Sequence, residues 1–316
     1  MKSSPKMIAK IRQIIRENKR FAIFFHLEPD GDAVGSAVGL GIVLKKVLKK
    51  EVYIFYPHKL IRKYARLDTL RLVTPKLPED GVDVVFLLDS SEEKRLAGIN
   101  ELKSLPYKLS VNIDHHLFNQ LFADINYVDT QTSSVGEMIY GIVKCWEIPL
   151  EAAEALYAAI LTDTGRFTFQ NTSARTLKVA SELISIGVKP HKLALQFYYS
   201  YPIGILKEIG NAFLQARILM DGKLIILHVD SKAHDDIGSI VDFSLLVNEV
   251  EVSVLLRERS SGFTEAVLRS KSFFDVGELA VALGGGGHKN AGGCTIHAGL
   301  KEAEKIIVEE ITKRGL

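Results

Sequence analysis

Short apolar runs alternate with longer amphipathic segments through the first half of the 316-residue chain. The apolar runs have the length of buried strands and span 21–25, 51–56, 83–88 and 109–113. The segments with helical spacing span 33–49, 132–146 and 150–162. Alternation of strand and helix is typical of an α/β unit in which the connecting helices cover the sheet. We therefore expect a mostly parallel sheet flanked by helices in this half.

The second half has a different pattern, with strands joined by turns and followed by helices. Strands are predicted at 224–229, 250–257 and 263–269, and helices near 275–283 and 300–313. The sequence Tyr-Pro-Ile-Gly at 201–204 interrupts the helical spacing between the two halves. We therefore predict an α/β domain over residues 1–190, a linker over 191–205 and a smaller α+β domain over 206–316.

The composition is that of a globular chain, because 47% of the residues are hydrophobic and 25% are charged. The 40 Lys and Arg residues against 38 Asp and Glu give a formal charge of +2, which disfavours a histone-like or heparin-like binder. Two cysteines exclude a disulfide framework and a cysteine-ligated zinc site, so we expect a reducing cytoplasm. No apolar run has the length of a signal peptide core or a membrane span, so no membrane anchor is expected.

Three of the predicted strands run directly into residues that commonly bind metals. His26 follows the first strand, Asp89 follows the third, and Asp114, His115 and His116 come at the end of the fourth. Sites in open parallel sheets form outside the carboxyl ends of the strands. These side chains should therefore converge at one edge of the sheet.

Further carboxylates come from a loop and from the end of a helix. Asp30 and Asp32 lie in a Pro-Asp-Gly-Asp loop ahead of a helix of small residues, and the loop can direct both carboxylates inward. Asp163 lies where a long apolar helical pattern breaks. Together with Asp89 these residues make four carboxylates, which repel one another within a few ångströms unless cations lie between them.

The residue types in this set favour a pair of metal ions. Two divalent cations would balance four negative charges, and His26 and His115 would serve as neutral nitrogen ligands. Mixed Asp and His ligation without thiolate favours Mn²⁺, Fe²⁺, Co²⁺ or Zn²⁺ over Mg²⁺, which prefers shells of oxygen ligands. We expect two Mn²⁺ ions, with Co²⁺, Fe²⁺ and Mg²⁺ left open. Such a pair, about 3.5–4 Å apart, supplies hydroxide at neutral pH and binds a phosphoryl oxygen for in-line attack on phosphorus. Hydrolysis of a phosphoester is the expected reaction.

Each of these residues also has an ordinary structural explanation. An isolated Asp after a strand is more often a turn residue or a helix cap than a ligand. His115 and His116 can equally be a packed core histidine beside a surface one, and Asp114 can cap the next segment. The joint placement of the same residue types at three strand ends and in one loop favours a site.

A glycine run in the second half suggests an anion site. Four glycines at 284–287 precede His288, and Arg269 lies on a predicted strand. Such a run permits positive φ and close approach of backbone N–H groups to an anion, although a tight turn without a ligand is the alternative. The run lacks the Gly-Lys-Ser/Thr ending of a Walker loop. Arg269 and His288 favour nucleotide phosphate binding, because a planar guanidinium can donate two hydrogen bonds to a phosphate.

The order of these motifs is specific. It begins with His26-x-x-Pro-Asp-Gly-Asp-Ala-x-Gly-Ser, Asp89, Asp114-His115-His116 and Thr162-Asp163-Thr164-Gly165, and ends with Arg269-Ser270 and Gly284-Gly-Gly-Gly-His288-x-x-Ala-Gly-Gly. From about residue 10 to the C-terminus, the chain resembles the DHH/DHHA1 (RecJ-like) phosphoesterases. It is most similar to the bacterial group that combines oligoribonuclease with 3′-phosphoadenosine 5′-phosphate (PAP) phosphatase activity. The resemblance implies a DHH domain over 1–190 and a DHHA1 domain over 206–316.

The resemblance also implies a role for each residue. One Mn²⁺ would be held by His26, Asp30 and Asp89, and the other by Asp32, Asp89, His115 and Asp163, so that Asp89 bridges. Asp114 would orient a neighbouring imidazole, as carboxylates usually do beside metal-ligating histidines. The implied catalytic residues are His116, which would lie near the substrate phosphate or leaving oxygen, Asp114 and Asp89. The implied substrate-binding residues are Arg269, Ser270, Gly285, Gly286, Gly287 and His288.

The predicted function is Mn²⁺-dependent hydrolysis of short oligoribonucleotides (nanoRNA) to mononucleotides and of PAP to AMP. The alternative is a phosphodiesterase for cyclic or linear dinucleotides such as cyclic di-AMP, pApA or pGpG. An inorganic pyrophosphatase is less expected, because the resemblance implies that such an enzyme would lack the glycine run with His288. A non-catalytic nucleotide sensor would not need every ligand position filled. The preferred substrate, the polarity of digestion, the choice of RNA or DNA and homodimer formation are left open by the sequence.

Overall fold

The chain folds into two compact units, Met1–Ser200 and Tyr201–Leu316, which we call the N-terminal unit and the C-terminal unit. The computed structural model describes residues 5–230, 235–260 and 262–316. The division between the units falls inside the stretch 191–205. Within the described ranges, no helix combines the length and the apolar character that crossing a membrane requires.

The N-terminal unit has the predicted alternation of strands and helices. Its strands are β1 (Arg20–Phe25), β2 (Glu51–Phe55), β3 (Val73–Thr74), β4 (Val84–Leu88), β5 (Leu109–Asp114) and β6 (Ile125–Val128). Its helices are α1 (Pro5–Glu17), α2 (Gly31–Ile42), α3 (Arg62–Ala65), α4 (Ile99–Ser104), α5 (Val135–Val143), α6 (Leu150–Asp163), α7 (Ala174–Ile186) and α8 (Pro190–Tyr198). A π-helical turn over Val43–Val47 continues α2, which explains why the helical spacing in the sequence extends beyond the α-helix itself.

The strands of this unit form one parallel sheet in the order β3-β2-β1-β4-β5-β6. The order reverses between β1 and β4, and such a switch point opens a crevice at the carboxyl ends of the two strands. Phe25 pairs with Leu88 in the register, so the residues that follow them, His26 and Asp89, leave the sheet side by side. The topology therefore places two of the predicted ligands at the switch point.

The helices α2 and α6 pack closely because small residues line their contact. A Cβ atom on Gly35 would lie only 2.5 Å from the carbonyl oxygen of Ala155, so this crossing requires glycine. Both helices are largely buried, and they join the core that covers one face of the sheet. The N-terminus of α2 and the C-terminus of α6 carry Asp32 and Asp163, so the packing sets where both carboxylates lie.

The C-terminal unit is built on a second, mixed sheet, and the predicted α/β and α+β classes of the two halves are confirmed. Its strands are β7 (Arg217–Leu219), β8 (Leu224–Val229), β9 (Val252–Ser260), β10 (Phe263–Ser270), β11 (Gly286–His288) and β12 (Ala291–Ile296). Its helices are α9 (Gly204–Leu214), α10 (Val241–Ser244), α11 (Val276–Ala282) and α12 (Leu300–Lys313), with a 3₁₀ segment over Asp235–Ile240. The strand order is β11-β12-β10-β9-β8-β7, in which β8 and β9 pair in parallel and the other neighbours pair antiparallel.

Two apolar clusters lie on the two faces of this second sheet. One contains buried residues of α11 and α12, and the other contains buried residues of α9 and α10. Strand β10 alternates between buried and partly exposed residues, so that Leu268 faces the first cluster while Val267 packs against the second. Arg269 shares the face of Val267.

Candidate metal centre

The six predicted metal ligands converge at the carboxyl ends of the parallel strands. The side-chain ligand atoms of His26, Asp30 and Asp89 lie within 4.8 Å of one another, and so do those of Asp32, His115 and Asp163. Asp89 is also in such a set with Asp114 and His116. The sets are linked through Asp89 and His115, whose ligand atoms are 3.6 Å apart. The structure thus brings together in space residues that are separated by up to 137 positions, from His26 to Asp163.

The backbone at Asp89 is unusual and directs its carboxylate. Asp89 has φ +56°, in the left-handed region that costs a non-glycine residue about 1–3 kcal/mol. Its backbone N–H donates to the carbonyl of Ile113 on β5, so the residue turns while still attached to the sheet. Only 3% of its surface is exposed. A strained, buried carboxylate at a switch point is expected where function fixes the conformation.

Helix α2 presents its two carboxylates in different ways. Asp30 caps the helix, because its Oδ1 accepts hydrogen bonds from the N–H groups of Asp32 and Ala33 at 2.9 and 3.0 Å. The ordinary structural explanation is therefore correct for Asp30, and the same oxygen also lies 3.8 Å from His26 Nε2. Capping and a place in the cluster are compatible.

Asp32 is fully buried and is held by the start of α5. Its Oδ2 accepts from the Val135 N–H at 2.6 Å, and its Oδ1 accepts from the Gly136 N–H and from Ser36 Oγ, both at 2.9 Å. The N-terminus of a helix favours negative charge, so α5 stabilises this carboxylate. These donors fix the carboxylate while Oδ2 still lies 3.8 Å from His115 Nε2.

The gaps between the ligand atoms have the length expected for atoms that share a cation. Asp89 Oδ2 lies 3.5 Å from His26 Nε2, and Asp89 Oδ1 lies 3.6 Å from His115 Nε2. Both distances exceed an ordinary N–H···O bond. Two ligand atoms, each about 2.1 Å from one ion, can lie up to about 4.2 Å apart, so both gaps are short enough for the two atoms to share a cation. Asp89 Oδ1 is buried and makes no hydrogen bond to the described residues, so the donor set fits a cation between these groups.

The electrostatics of the protein groups alone also favour bound cations. Burial raises the pKa of Asp32 to about 7, and the neighbouring Asp89 charge adds to this. Burial raises the pKa of Asp163 well above its ordinary value. Burial opposes protonation of His26 and His115, but the surrounding carboxylates outweigh burial and raise the pKa of each to about 10. The cluster therefore attracts positive charge, which protons supply poorly and divalent cations supply well.

Asp114 and His116 form a hydrogen-bonded pair beside the other ligands. His116 Nδ1 donates to Asp114 Oδ1 at 2.7 Å, and Asp114 is fully buried on β5. The same nitrogen lies 3.7 Å from Asp89 Oδ1. The arrangement fits the predicted role of Asp114, because a carboxylate on Nδ1 fixes the orientation and tautomer of an imidazole.

A buried acid that the sequence analysis did not single out supports the start of α5. Glu137 is fully buried, and its Oε2 accepts from Ser133 Oγ at 2.7 Å and from Thr176 Oγ1 at 2.9 Å. Its Oε1 lies 2.8 Å from the Arg175 Nε. Since Ser134 caps α5 and Glu137 follows three residues later, the capping pattern was readable in the sequence as a helix start. The sequence did not show that the first N–H groups of this helix, those of Val135 and Gly136, donate to Asp32.

The predicted substrate-binding residues lie together in the C-terminal unit. Arg269 on β10 and His288 on β11 are both paired with Ala291 of the intervening strand β12, so they share one face of the sheet. Arg269 donates from Nη1 to the Leu268 carbonyl at 2.9 Å, and its Nε is 3.5 Å from Asp242 Oδ1. A partly exposed guanidinium and an imidazole therefore lie on neighbouring strands of one face.

Part of the glycine run forms the edge strand of the second sheet and is not an open loop. Gly286–His288 is strand β11, and a Cβ on Gly287 would lie 2.2 Å from the Ala291 carbonyl oxygen. Gly287 also has φ +148°, so glycine is required there. Ser270 is buried, and its hydroxyl donates to the Phe274 carbonyl at 2.7 Å. Ser270 therefore supports the end of β10 instead of presenting a hydroxyl at the surface.

These observations define an α/β protein with an Asp and His centre at the switch point of a parallel sheet, followed by a mixed-sheet domain. Comparison with known proteins gives the same result. The model of the DHH family, N-terminal domain, matches residues 20–160, and the model of the DHHA1 domain matches residues 221–314. The bifunctional oligoribonuclease and PAP phosphatase NrnA of Thermus thermophilus is 31% identical over 92% of this chain and 90% of that protein.

Two further comparisons extend this result. The cyclic-di-AMP phosphodiesterase GdpP of Geobacillus thermodenitrificans is 27% identical over 95% of this chain and 48% of that protein. The fold is shared with a crystal structure of an exopolyphosphatase-related protein from Bacteroides fragilis, with a TM-score of 0.85. The match spans 98% of this chain and 96% of that protein at 24% sequence identity. The chain belongs to the DHH/DHHA1 phosphoesterase family, as the resemblance of its motifs implied. It is accordingly a hydrolytic enzyme.

Proposed function

We propose that this enzyme hydrolyses short oligoribonucleotides to mononucleotides, and PAP to AMP, with two Mn²⁺ ions in the cluster at the ends of β1, β4 and β5. The observation that carries the proposal is Asp89, whose two carboxylate oxygens face different ligands, His26 at 3.5 Å and His115 at 3.6 Å. A carboxylate placed in this way can join two cation sites. The relative from Thermus thermophilus, which is named for both activities, supports the choice of substrates.

The protein would hold the ions with two ligand sets that share Asp89. The first set is His26, Asp30 and Asp89, and the second is Asp32, Asp89, His115 and Asp163. Oxygen and imidazole ligands without thiolate suit Mn²⁺, and they also admit Co²⁺, Fe²⁺ and Mg²⁺. When bound, two such ions neutralise charge on the phosphoryl oxygens and lower the pKa of water.

The pair Asp114 and His116 would serve the leaving oxygen. Asp114 holds Nδ1 of the imidazole at 2.7 Å, so the ring is oriented, and any proton exchange with substrate takes place at Nε2. His116 is therefore proposed to deliver or accept the proton at the phosphoester oxygen, with Asp114 as its support.

The C-terminal unit would bind the rest of the substrate. Arg269 offers a planar fork for a phosphate, His288 lies on the same face two strands away, and the glycines at 285–287 leave backbone unobstructed by side chains. A site that captures one end of a nucleotide favours short substrates, because longer strands gain little from it. Ser270 contributes to this site by fixing the end of β10.

A second candidate is hydrolysis of cyclic or linear dinucleotides such as cyclic di-AMP, pApA or pGpG. The similarity to GdpP over 95% of this chain favours it, although that relative is about twice as long. The same metal ligands and the same phosphate-binding residues would serve both reactions. The two candidates therefore differ in substrate preference and not in the chemistry of the centre.

A comparison of substrates tests the proposal. The purified chain is supplied with Mn²⁺ and given PAP, pApA, a short oligoribonucleotide, cyclic di-AMP and pyrophosphate at matched concentration. We expect the oligoribonucleotide and PAP to be hydrolysed fastest. Selective hydrolysis of cyclic di-AMP or pApA would favour the second candidate, and hydrolysis of none of them would contradict both.

The Arg269→Ala variant tests the role of the C-terminal unit in the same assay. Loss of charge-assisted hydrogen bonds worth about 1.5–3 kcal/mol should raise KM by roughly 10- to 150-fold while kcat changes little. Arg314→Ala is the matched control, because Arg314 pairs with Glu310 on α12 and not with the proposed site. An unchanged KM in Arg269→Ala would remove this residue from the substrate site.

A further inference from the structure

We propose that Asn119 is a positioning residue that fixes the Asp114 carboxylate and, through it, the His116 imidazole. The inference deepens the proposed function and rests on it. Asn119 lies in the loop after β5, three residues beyond His116, and it is part-buried at its contacts.

The side-chain amide of Asn119 completes the hydrogen bonding of Asp114. Its Nδ2 donates to Asp114 Oδ2 at 2.6 Å, while His116 Nδ1 donates to Asp114 Oδ1 at 2.7 Å. Each oxygen of this buried carboxylate therefore has one short side-chain donor. With its Oδ2 held by the amide, Asp114 cannot rotate about its side-chain bond without breaking both hydrogen bonds.

The orientation of the amide is itself determined. Asn119 Oδ1 accepts from the Leu121 N–H at 2.7 Å, so the NH₂ group must be the end that faces Asp114. Leu121 has φ +53°, a left-handed conformation that costs a branched residue free energy and persists only where its surroundings hold it. The strained turn thus keeps the amide in its donating orientation.

The same amide joins the ends of β4 and β5. Its Nδ2 lies 2.9 Å from Asn112 Oδ1 on β5 and 3.2 Å from the carbonyl of Ser90, the residue after Asp89. Asn112 is fully buried and donates its own Nδ2 to the Ser90 carbonyl at 3.1 Å. Asn119 is therefore tied to the backbone beside the bridging carboxylate as well as to the carboxylate behind the imidazole.

This geometry predicts a particular order of effects. Asn119→Ala removes the donor, whereas Asn119→Asp keeps the size but places a second carboxylate beside Asp114 Oδ2. If the amide acts as a hydrogen-bond donor, Asn119→Asp should lower kcat more than Asn119→Ala, since the new carboxylate repels that of Asp114. If Asn119 only fills space, the isosteric Asp is better tolerated than Ala. Misplacing a catalytic group by about 1 Å can cost roughly 100-fold in rate, so we expect kcat to fall about 10-fold in Asn119→Ala and about 100-fold in Asn119→Asp.

The test measures kcat, KM, the Mn²⁺ dissociation constant and the melting temperature for both variants. Asn126→Ala is the matched control, because its Nδ2 donates at 2.7 Å to the Ala123 carbonyl in a turn that does not involve Asp114. We expect both Asn119 variants to keep KM and the Mn²⁺ dissociation constant within about twofold while kcat falls. The control should match the unsubstituted chain.

A spectroscopic readout is independent of turnover. In ¹⁵N-histidine-labelled protein without added metal, the His116 signals are assigned by their loss in His116→Gln. We expect two distinct nitrogen shifts in the unsubstituted chain, because Nδ1 is hydrogen-bonded to Asp114, and averaging of the two shifts in Asn119→Ala. If the unsubstituted chain hydrolyses nothing, the proposed function fails while this readout still tests the role of Asn119.

Three results would overturn the inference: kcat unchanged in both variants, Asn119→Asp at least as active as Asn119→Ala, or nitrogen shifts of His116 that do not change. Loss of cooperative melting in both variants would also overturn it, because Asn119 would then support the fold in general. If only one variant melts cooperatively, its kcat and its His116 shifts decide the outcome.

Discussion

Two buried acidic sites in this molecule are built in opposite ways. Glu251 in the C-terminal unit is 5% exposed, and its Oε1 accepts from the backbone N–H groups of Ser272, Phe273 and Phe274 at 2.8–3.0 Å, while Oε2 accepts from Ser272 Oγ at 2.8 Å. Asp89 in the N-terminal unit is 3% exposed, and its Oδ1 makes no hydrogen bond within the described ranges. One carboxylate has all the donors it needs, and the other faces imidazoles beyond hydrogen-bond distance.

The pKa values of Glu251 and of Asp32, a carboxylate in the same cluster as Asp89, are shifted in opposite directions. Burial alone would raise the pKa of Glu251, but the donors from Phe274, Ser272 and Phe273 outweigh burial and lower it below 4.5. Burial and the charge of Asp89 instead raise the pKa of Asp32. A buried carboxylate that has sufficient protein donors and no like charge beside it stabilises the fold, whereas a cluster of carboxylates that repel one another is suited to bind cations.

The largest expected effect is loss of the shared ligand of the cluster. Asp89→Asn keeps the shape and tolerates the left-handed backbone, but it removes the charge that both ligand sets share. Loss of about 4 kcal/mol of electrostatic stabilisation of the transition state should lower kcat/KM for a short oligoribonucleotide by roughly 10³-fold. Glu251→Gln in the same assay should remain active. Near-normal activity of the Asp89→Asn variant would contradict the role of Asp89 as a shared metal ligand.

The second effect is stabilisation of the chain by Mn²⁺. Each cation that binds only the folded chain should add about 2.7 kcal/mol to the free energy of unfolding at 100 times its dissociation constant. Thermal melting with Mn²⁺ and with EDTA measures this difference. Asp89→Asn should lose the difference, and Glu251→Gln should retain it. Equal melting temperatures with and without Mn²⁺ in the unsubstituted chain would contradict the cation-binding account.

The third effect is the contribution of Glu251 to the free energy of unfolding. Glu251→Gln should lower the free energy of unfolding by about 1.5–3 kcal/mol near neutral pH, because the charged acceptor is lost. Since the folded-state pKa of Glu251 is lowered, its contribution is fully present above the ordinary value of 4.5 and is lost as pH falls through the folded pKa. Denaturant unfolding at a series of pH values should show the variant converging on the unsubstituted chain in acid. A constant difference at every pH would contradict this.

The smallest effect comes from a matched pair of serines. Ser36→Ala and Ser272→Ala each remove one hydroxyl donor to a buried carboxylate, Asp32 and Glu251 respectively. Ser36→Ala should weaken Mn²⁺ binding about 10-fold, as changes behind metal ligands often do, and Ser272→Ala should leave it unchanged. Calorimetric Mn²⁺ titration of both variants measures this. The opposite order would show that the two sites are not distinct in the way described.

Much of the cluster was predictable because a parallel sheet aligns the ends of its strands. His26, Asp89 and Asp114 each follow an apolar run of strand length, and the register of β1, β4 and β5 places them at one level. The ordering of β1 beside β4, which creates the switch point, was not readable from the runs themselves. The sequence therefore predicted that these side chains converge, but not the strand register that brings them within a few ångströms of one another.

The supporting residues could not be predicted in the same way. Asn119 and Glu137 act through hydrogen bonds whose partners depend on tertiary packing, and polar residues in loops or at helix starts are common for local reasons. Strands β11 and β12 were also missed, because Gly286, Gly292 and Gly293 lack the branched side chains that mark strands. Those strands are defined by backbone hydrogen bonds, which a pattern of side chains does not reveal.

The most direct test of the central claim is a count of the divalent cations that the cluster binds. Calorimetric titration of the EDTA-treated chain with Mn²⁺ should give two ions per chain, and Asp89→Asn should lose both because the two ligand sets share that carboxylate. Fewer than two ions in the unsubstituted chain, or two ions retained in Asp89→Asn, would contradict the account of Asp89 as the ligand that joins two metal sites.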